Sequence, residues 1–324
     1  MLTYVVRRLL YSVVVLVLAS MIIFTFIAVS GDPLGYLRTR PNISQQTIAN
    51  IEERNHLNES IPVRYAYWVR DAVTNQFGTT LVGNRPILPD LLRVMGNTLQ
   101  LVLIAEMLAV LVAVGIGVYS ALRQYSAFDY TATTFSFVGL AIPVFWLALM
   151  LQVVVTEIYK STGHSIFPIT SLSSVDPGTG LHFVVDRAWH LALPVIVLMI
   201  ASVATYSRYM RAAMLEVVNA DYVRTARAKG LSERKVTMRH AFRNALIPLV
   251  TLVALQFGVL FGGAIVTETV FALDGMGLYY VRALNAGDPY PVMAWLMVTA
   301  TVIIVFNLVA DIAYGYLDPR VRYD

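Results

Sequence analysis

Five histidines, His56, His164, His182, His190 and His240, are the side chains in this sequence best suited to moving protons or holding a metal ion. They are scattered, without metal-ligand spacing. None is followed by glutamate, so the zinc-protease helix pattern is absent. The lysines are Lys160, Lys229 and Lys235, and none follows a glycine, so no Walker-type loop exists to cradle nucleotide phosphates. No serine sits in a GxSxG elbow. There is no cysteine, which removes disulfides, thiol catalysis and cysteine metal sites. These residues assemble no recognisable catalytic constellation and no metal or cofactor site, and the chain reads as non-catalytic.

The spacing that does carry a message is cationic. Residues 208–243 hold Arg208, Arg211, Arg224, Arg227, Lys229, Arg234, Lys235, Arg239 and Arg243 against Glu216, Asp221 and Glu233. This segment lies between two apolar runs, and positive charge holds a loop in the cytoplasm. Within it, Asn219 suits a helix N-cap, and Ala220, Val223 and Ala226 form a stripe three residues apart with Tyr222 beside it. Gly230 after Lys229 has the order of a basic last turn and a left-handed stop. Ser232 can cap a second short helix with Val236, Met238 and Phe242 as its apolar positions. Two readings stand: a solvated or headgroup-binding basic loop, or a corner that inserts into a groove on a partner. The small-residue face favours the second, because lipid-binding helices expose Leu, Phe or Trp.

The elements that position this corner are membrane spans. The 324 residues are 57% apolar and 14% charged, against about 25% charged in a soluble domain. Apolar runs at about 9–29, 99–119, 133–155, 190–207, 245–267 and 292–310 approach the roughly 20 residues of a spanning helix. In lipid such runs must be helical. The first run is too long for a signal-peptide core and lacks a small-x-small site after it, so it is read as retained. With both termini in the cytoplasm, Arg7, Arg8, Arg123, the basic segment, Arg320 and Arg322 fall inside. Loops 30–98, 156–189 and 268–291 fall outside, and 30–98 is long enough to escape the charge rule. Topology therefore explains the basic pI of about 9.2 better than nucleic-acid binding. The long loop carries two amphipathic helices, one capped by Ser44 with Ile48 and Ile51 on a face. The other begins near Pro62 with Ala66, Val69 and Val73 as its stripe. Both are expected on the membrane surface or over the outer mouth.

The stretch DYVRTARAKGLSERKVTMRHAFRNALIP (221–248) resembles the cytoplasmic signature loop of ABC importer permeases of the dipeptide, oligopeptide and nickel branch. RRLL and its span (7–29), SGDPL (30–34), GNTLQL (96–101), ETVFALDGMG (268–277) and YLDPRVRY (316–323) agree with it along nearly the whole chain. Two departures are Arg224-Thr225-Ala226, where the general importer motif has Glu-Ala-Ala, and Asp274, where relatives often have proline. The resemblance implies an all-α, six-span, type I importer permease: a first helix with an outer loop over 1–98, then a core over 99–324 with its coupling loop at 208–244. It implies that Asp221, Tyr222, Arg224, Thr225, Ala226, Lys229, Gly230 and Arg239 meet an ATPase, and that Glu268, Asp274, Gly275 and Gly277 belong to an outer gate loop. The implied partners are a homologous permease, one or two ATPase subunits that bind the ATP and Mg, and an external substrate-binding protein. Peptide is the implied substrate class, with nickel or another small solute as the alternative.

Polar and small residues within the spans complete the reading. Glu106 is the acidic residue well inside a span, either a pathway group that meets a cationic substrate or a hydrogen-bonded interhelical contact; the contact is preferred. Asn307 and Asp311 are one turn apart and suit packing or capping of the tail. Gly258 and Gly262 form GxxxG, the expected contact between permease subunits. A rival, an ion-coupled secondary transporter, would need acidic or broken-helix sites near mid-membrane in repeated halves. Only Glu106 qualifies, and no repeat is visible.

Overall fold

The computed structural model describes residues 2–38, 43–74 and 76–317. Among them the chain is helical, with one isolated antiparallel bridge between Thr79 and Pro86. Helix α1 (Leu2–Val29) leads to α2 (Gly35–Arg38), α3 (Gln45–Arg54) and α4 (Ile61–Thr74). Then come α5 (Ile87–Leu122), α6 (Ala127–Ala141), α7 (Val144–Thr162) and α8 (Leu181–Val218). Helices α9 (Asp221–Ala228) and α10 (Glu233–Lys235) precede a π-helical segment, Val236–Phe242, that runs into α11 (Arg243–Gly263). Helices α12 (Ile265–Val270), α13 (Met276–Asn285) and α14 (Pro289–Leu317) follow.

Six stretches are long and apolar enough to cross a membrane: Val5–Val29, Ile87–Leu122, Val144–Thr162, Leu181–Val218, Glu233–Phe261 and Pro289–Ile312. Each overlaps one of the six expected runs, and two corrections follow. The run at 133–155 is not one helix. Pro143 has no N–H to give and disfavours helix at Ile142, so the backbone turns extended there (ψ 121° and 134°) and divides α6 from α7. Helices α5 and α8, at 36 and 38 residues, are about 55 Å long, far beyond a hydrocarbon core of about 30 Å. Their apolar middles fixed the expected limits, while their polar ends continue the helix.

The chain folds as two compact units, Met1–Thr98 with Gly262–Ile265 and Asp274–Ile304, and Leu99–Phe261 with Val266–Leu273 and Val305–Asp324. In the first, Phe24 of α1 packs on Tyr65 and Trp68 of α4, ring centroids 5.5 and 5.9 Å away, and Met293 completes the cluster. The Ser20 and Tyr65 hydroxyls lie 2.8 Å apart. Ser44 caps α3 as expected, accepting the Thr47 N–H at 3.1 Å, and Ile48 is buried with Leu34, Leu37 and Leu81. Pro62 lies in the first turn of α4, but the stripe expected there is corrected. Trp68 is buried with Tyr65, Val69 and Ala72 packed around it, whereas Val73 is 80% exposed. Two large rings bury more area than the Ala-Val stripe and set the rotation of the helix.

In the second unit, α8 is the centre. Its Tyr206, Met210 and Met214 are fully buried against Ala109 and Ala113 of α5. One turn further on, a Cβ added to Gly117 would sit 2.6 Å from Met210 Cβ and 2.7 Å from the Ser207 carbonyl oxygen, so only glycine allows this approach. Small residues at 109, 113 and 117 thus form the close helix contact of this unit.

Candidate functional site

The basic corner is built on the end of α8. The buried face of α8 continues through Met210 and Met214, so the helix runs to Val218. Asn219 ends it, donating from Nδ2 to the Leu215 carbonyl, and is not the N-cap expected for the next helix. Ala220 takes that place with extended backbone (φ −69°, ψ 149°), its carbonyl accepting from Val223 and Arg224. Helix α9 stops at Lys229, and Gly230 follows at φ +77°, donating its N–H to the Arg227 carbonyl at 2.9 Å. Ser232 precedes α10 through its backbone carbonyl, which accepts from Lys235 and Val236. The second short helix is not separate, because α10 passes through the π-helical segment directly into α11. Of its expected apolar positions Val236 is buried, while Met238 is exposed.

The orientation of α9 overturns one expectation. Val223 and Ala226 do not face outward to a partner. They are buried in this chain's own core with Met214, Val236 and Ala241. Their small size lets α9 lie flat on its neighbours, which is why the stripe is small. The outward face consists of Tyr222, Arg224, Thr225, Lys229 and Gly230, with Asp221 in the first turn and Arg239 on the π-helical segment. Arg227 closes the corner, donating from Nε to Glu233 Oε1 at 2.8 Å and from a terminal nitrogen to the Val218 carbonyl at 3.4 Å. Tyr222 accepts from Asn244 Nδ2 at 3.1 Å. Arg224, Lys229, Arg234, Lys235 and Arg239 are exposed. Among the described residues only Arg224 of these five has an ion-pair contact, with Asp221 at 3.7 Å. The site is a cationic ledge pinned from beneath by apolar contacts.

The segment 268–277 is helix, tight turn and helix. Glu268 lies buried in α12, and its carbonyl accepts the Leu273 N–H at 2.8 Å. Asp274 has a clear role in the first unit. It pairs with Arg93 and with Arg282, the latter at 2.8 Å, and its carbonyl accepts from Asn97 Nδ2 at 2.7 Å. A proline there would lose the carboxylate that ties α5 to α13. Gly275 is the extended N-cap of α13, and Gly277 is buried in its first turn. Nearby, Asp288 is buried and accepts N–H bonds from Leu81 at 2.7 Å and Tyr290 at 3.2 Å; burial pushes its carboxyl up to about 6.

Glu106 is buried with both carboxyl oxygens taken by α8, Oε1 by the Ser202 hydroxyl at 2.6 Å and Oε2 by the Tyr206 hydroxyl at 2.5 Å. Both oxygens are therefore engaged between α5 and α8. Gly258 is buried within the chain, and Gly262 falls in the last turn of α11. Three contacts escaped the sequence reading. Arg211 donates from Nε and a terminal nitrogen to Asp129 Oδ1 and Oδ2 at 2.6 and 2.7 Å. Ser136 and Ser207 hydroxyls lie 3.1 Å apart, and Arg208 stands over the Phe137 ring at 4.5 Å. Arg208 and Arg211 read as topology charges, and only the four-residue spacing of Arg211 from Ser207 places it one turn along the same helix face.

Residues 113–323 match the family of the binding-protein-dependent transport system inner membrane component, and residues 1–89 match the N-terminal region of such membrane components. The chain belongs to this family, and with its six apolar helices it is a multi-pass protein of the cytoplasmic membrane. It is 37% identical to the dipeptide transport system permease protein DppB of Alkalihalophilus pseudofirmus, with all of both chains covered. It is also 37% identical to the oligopeptide transport system permease protein AppB of Bacillus subtilis, again with all of both chains covered. Against DppB of Escherichia coli K12 the identity is 32%, over 100% of this chain and 99% of that one. Among solved structures, 72% of the chain matches 98% of a chain of the inward-facing MetNI methionine ABC transporter, with TM-score 0.56 at 14% identity. An amino acid ABC transporter matches over 72% of this chain and 94% of that one, with TM-score 0.50, also at 14% identity. These two likenesses establish the fold.

Proposed function

We propose that this permease forms one half of a channel that imports di- or oligopeptides, and that a partner ATPase moves it by gripping the ledge at 219–243. The observation that carries the reading is the two-faced build of α9. Its outer face is cationic and open, while Val223 and Ala226 lock its inner face to the end of α8 and the start of α11. A push on α9 is therefore a push on two spanning helices. Orientation with both termini and the ledge in the cytoplasm agrees with the excess of arginine there. The peptide assignment draws on the full-length relatives, which are named as dipeptide or oligopeptide permeases.

In this mechanism the chain binds no nucleotide. Partner ATPase chains, one kind or two, hold ATP and Mg, and their closure draws the ledge inward. The helices rock against those of a second, homologous permease, and a central cavity changes sides. ATP contributes only because it binds the two states with different affinity. The 268–291 segment helps to close the outer mouth, where an external binding protein delivers the peptide.

The deciding experiment is reconstitution of the complete complex in lipid vesicles, with ATP hydrolysis and uptake measured for dipeptides, longer peptides and nickel. Peptides with their binding protein should stimulate hydrolysis and accumulate inside. Arg224→Glu combined with Lys229→Glu should leave the subunit in the membrane but abolish ATPase association. Stimulation by nickel alone, or uptake that persists without ATP, would refute the assignment.

A further inference from the structure

Resting on the reading above and deepening it, we propose that Asp129 and Arg211 are a positioning pair that transmits the movement of the ledge to α6. Arg211 lies on α8 within three turns of α9. Its guanidinium meets the Asp129 carboxylate through two parallel bonds of 2.6 and 2.7 Å. A two-bond fork fixes direction as well as distance, which one bond or an apolar contact does not. On the α6 side the carboxylate has no freedom of its own. Its side chain is 3% exposed, its Oδ2 also accepts the Tyr125 N–H at 2.9 Å, and the Ser126 hydroxyl caps the Asp129 N–H. Moving the carboxylate therefore moves the turn that begins α6.

On the α8 side there is equally little slack. A Cβ at Gly117 would lie 3.0 Å from the Arg211 backbone nitrogen, so α5 sits directly against the turn that bears the arginine. One turn before it, Ser207 meets Ser136 and Arg208 covers Phe137, both on α6. One turn after Met210, Met214 shares a core with Val223 and Ala226 of α9. The route from ledge to α6 is thus continuous: α9, the Met214 core, Arg211, Asp129. An apolar α6–α8 contact alone would permit sliding between ridges, whereas the fork allows one register. A partly buried ion pair adds little net stability over apolar packing, so its distinctive contribution is that register.

The test uses the whole complex in vesicles and reads peptides imported per ATP hydrolysed, a ratio that loss of folded protein does not change. Asp129→Ala should retain binding-protein-stimulated hydrolysis but lower the ratio at least tenfold. Because the chain has no native cysteine, Asp129→Cys with Arg211→Cys can be bridged by a short bismaleimide. The unbridged pair should be uncoupled and bridging should restore at least half the wild-type ratio, a rescue that also decides the matter if Asp129→Ala fails to assemble. A wild-type ratio in the unbridged variant, or loss of transport on bridging, overturns the proposal. Failure of the unmodified complex to import peptide with ATP would instead count against the parent reading.

Discussion

At Gly230 the backbone stands at φ +77°, and an added Cβ would meet nothing within 4 Å. The position is sensitive to conformation and indifferent to volume. Gly230→Ala carries about 1–2 kcal/mol of left-handed strain and should retain most peptide uptake. Gly230→Pro cannot reach this φ and also deletes the N–H that bonds Arg227, so uptake should vanish while the subunit still inserts. Membrane immunoblots alongside uptake assays separate the two effects. Four residues earlier the logic inverts. Ala226 is buried, so Ala226→Arg forces an unpaired charge into the α8–α9 core, and the subunit should fail to accumulate. Normal abundance of that variant would show that α9 faces the other way. The identity of these two residues was legible in the sequence and the direction of the stripe was not. A spacing of three shows that one face differs, but small residues suit a partner's groove and a tight internal seat equally well.

For the elements, the polar face of α8 decides what Glu106 does. Gln can still accept from Ser202 and donate to the Tyr206 oxygen, so Glu106→Gln should transport within about twofold of wild type. Glu106→Leu strands two buried hydroxyls, costing about 1–3 kcal/mol each, and should lower the detergent melting temperature sharply. A selective loss of cationic peptide uptake in Glu106→Gln would favour the pathway reading. All six spans were legible because lipid leaves long apolar runs no alternative to helix. Two element-level features were hidden for the same reason. Hydropathy continues smoothly across Ile142-Pro143, concealing the break, and the polar ends of α5 and α8 drop out of an apolar window although the helices continue. The Asp129–Arg211 pair stayed hidden because 82 residues separate its members, and nothing local links an acid at one helix start to an arginine near another helix end.

Over the whole molecule, stability should depend on pH through Asp288. Its carboxyl titrates at about 6 in the folded chain against 3.8 when free, so the native state keeps a proton that the unfolded chain has released. The resulting stabilisation is complete below about pH 4 and is lost as pH rises through 6, on the order of 2–3 kcal/mol in all. The purified protein should melt higher at pH 5 than at pH 7, and Asp288→Asn should flatten that difference; an unchanged slope would assign it to other groups. Asp288 also shows how the first compact unit is made. Leu81 bonds a carboxylate 207 residues away, Trp68 packs on Met293, and Arg93 pairs with Asp274. At about 5–20 residues per second, a ribosome needs roughly 10–40 s to bridge that gap. Throughout that interval the N-terminal helices are out of the exit tunnel without the chain that closes their core, so this protein's hazard during synthesis falls on its beginning and is relieved only near its end.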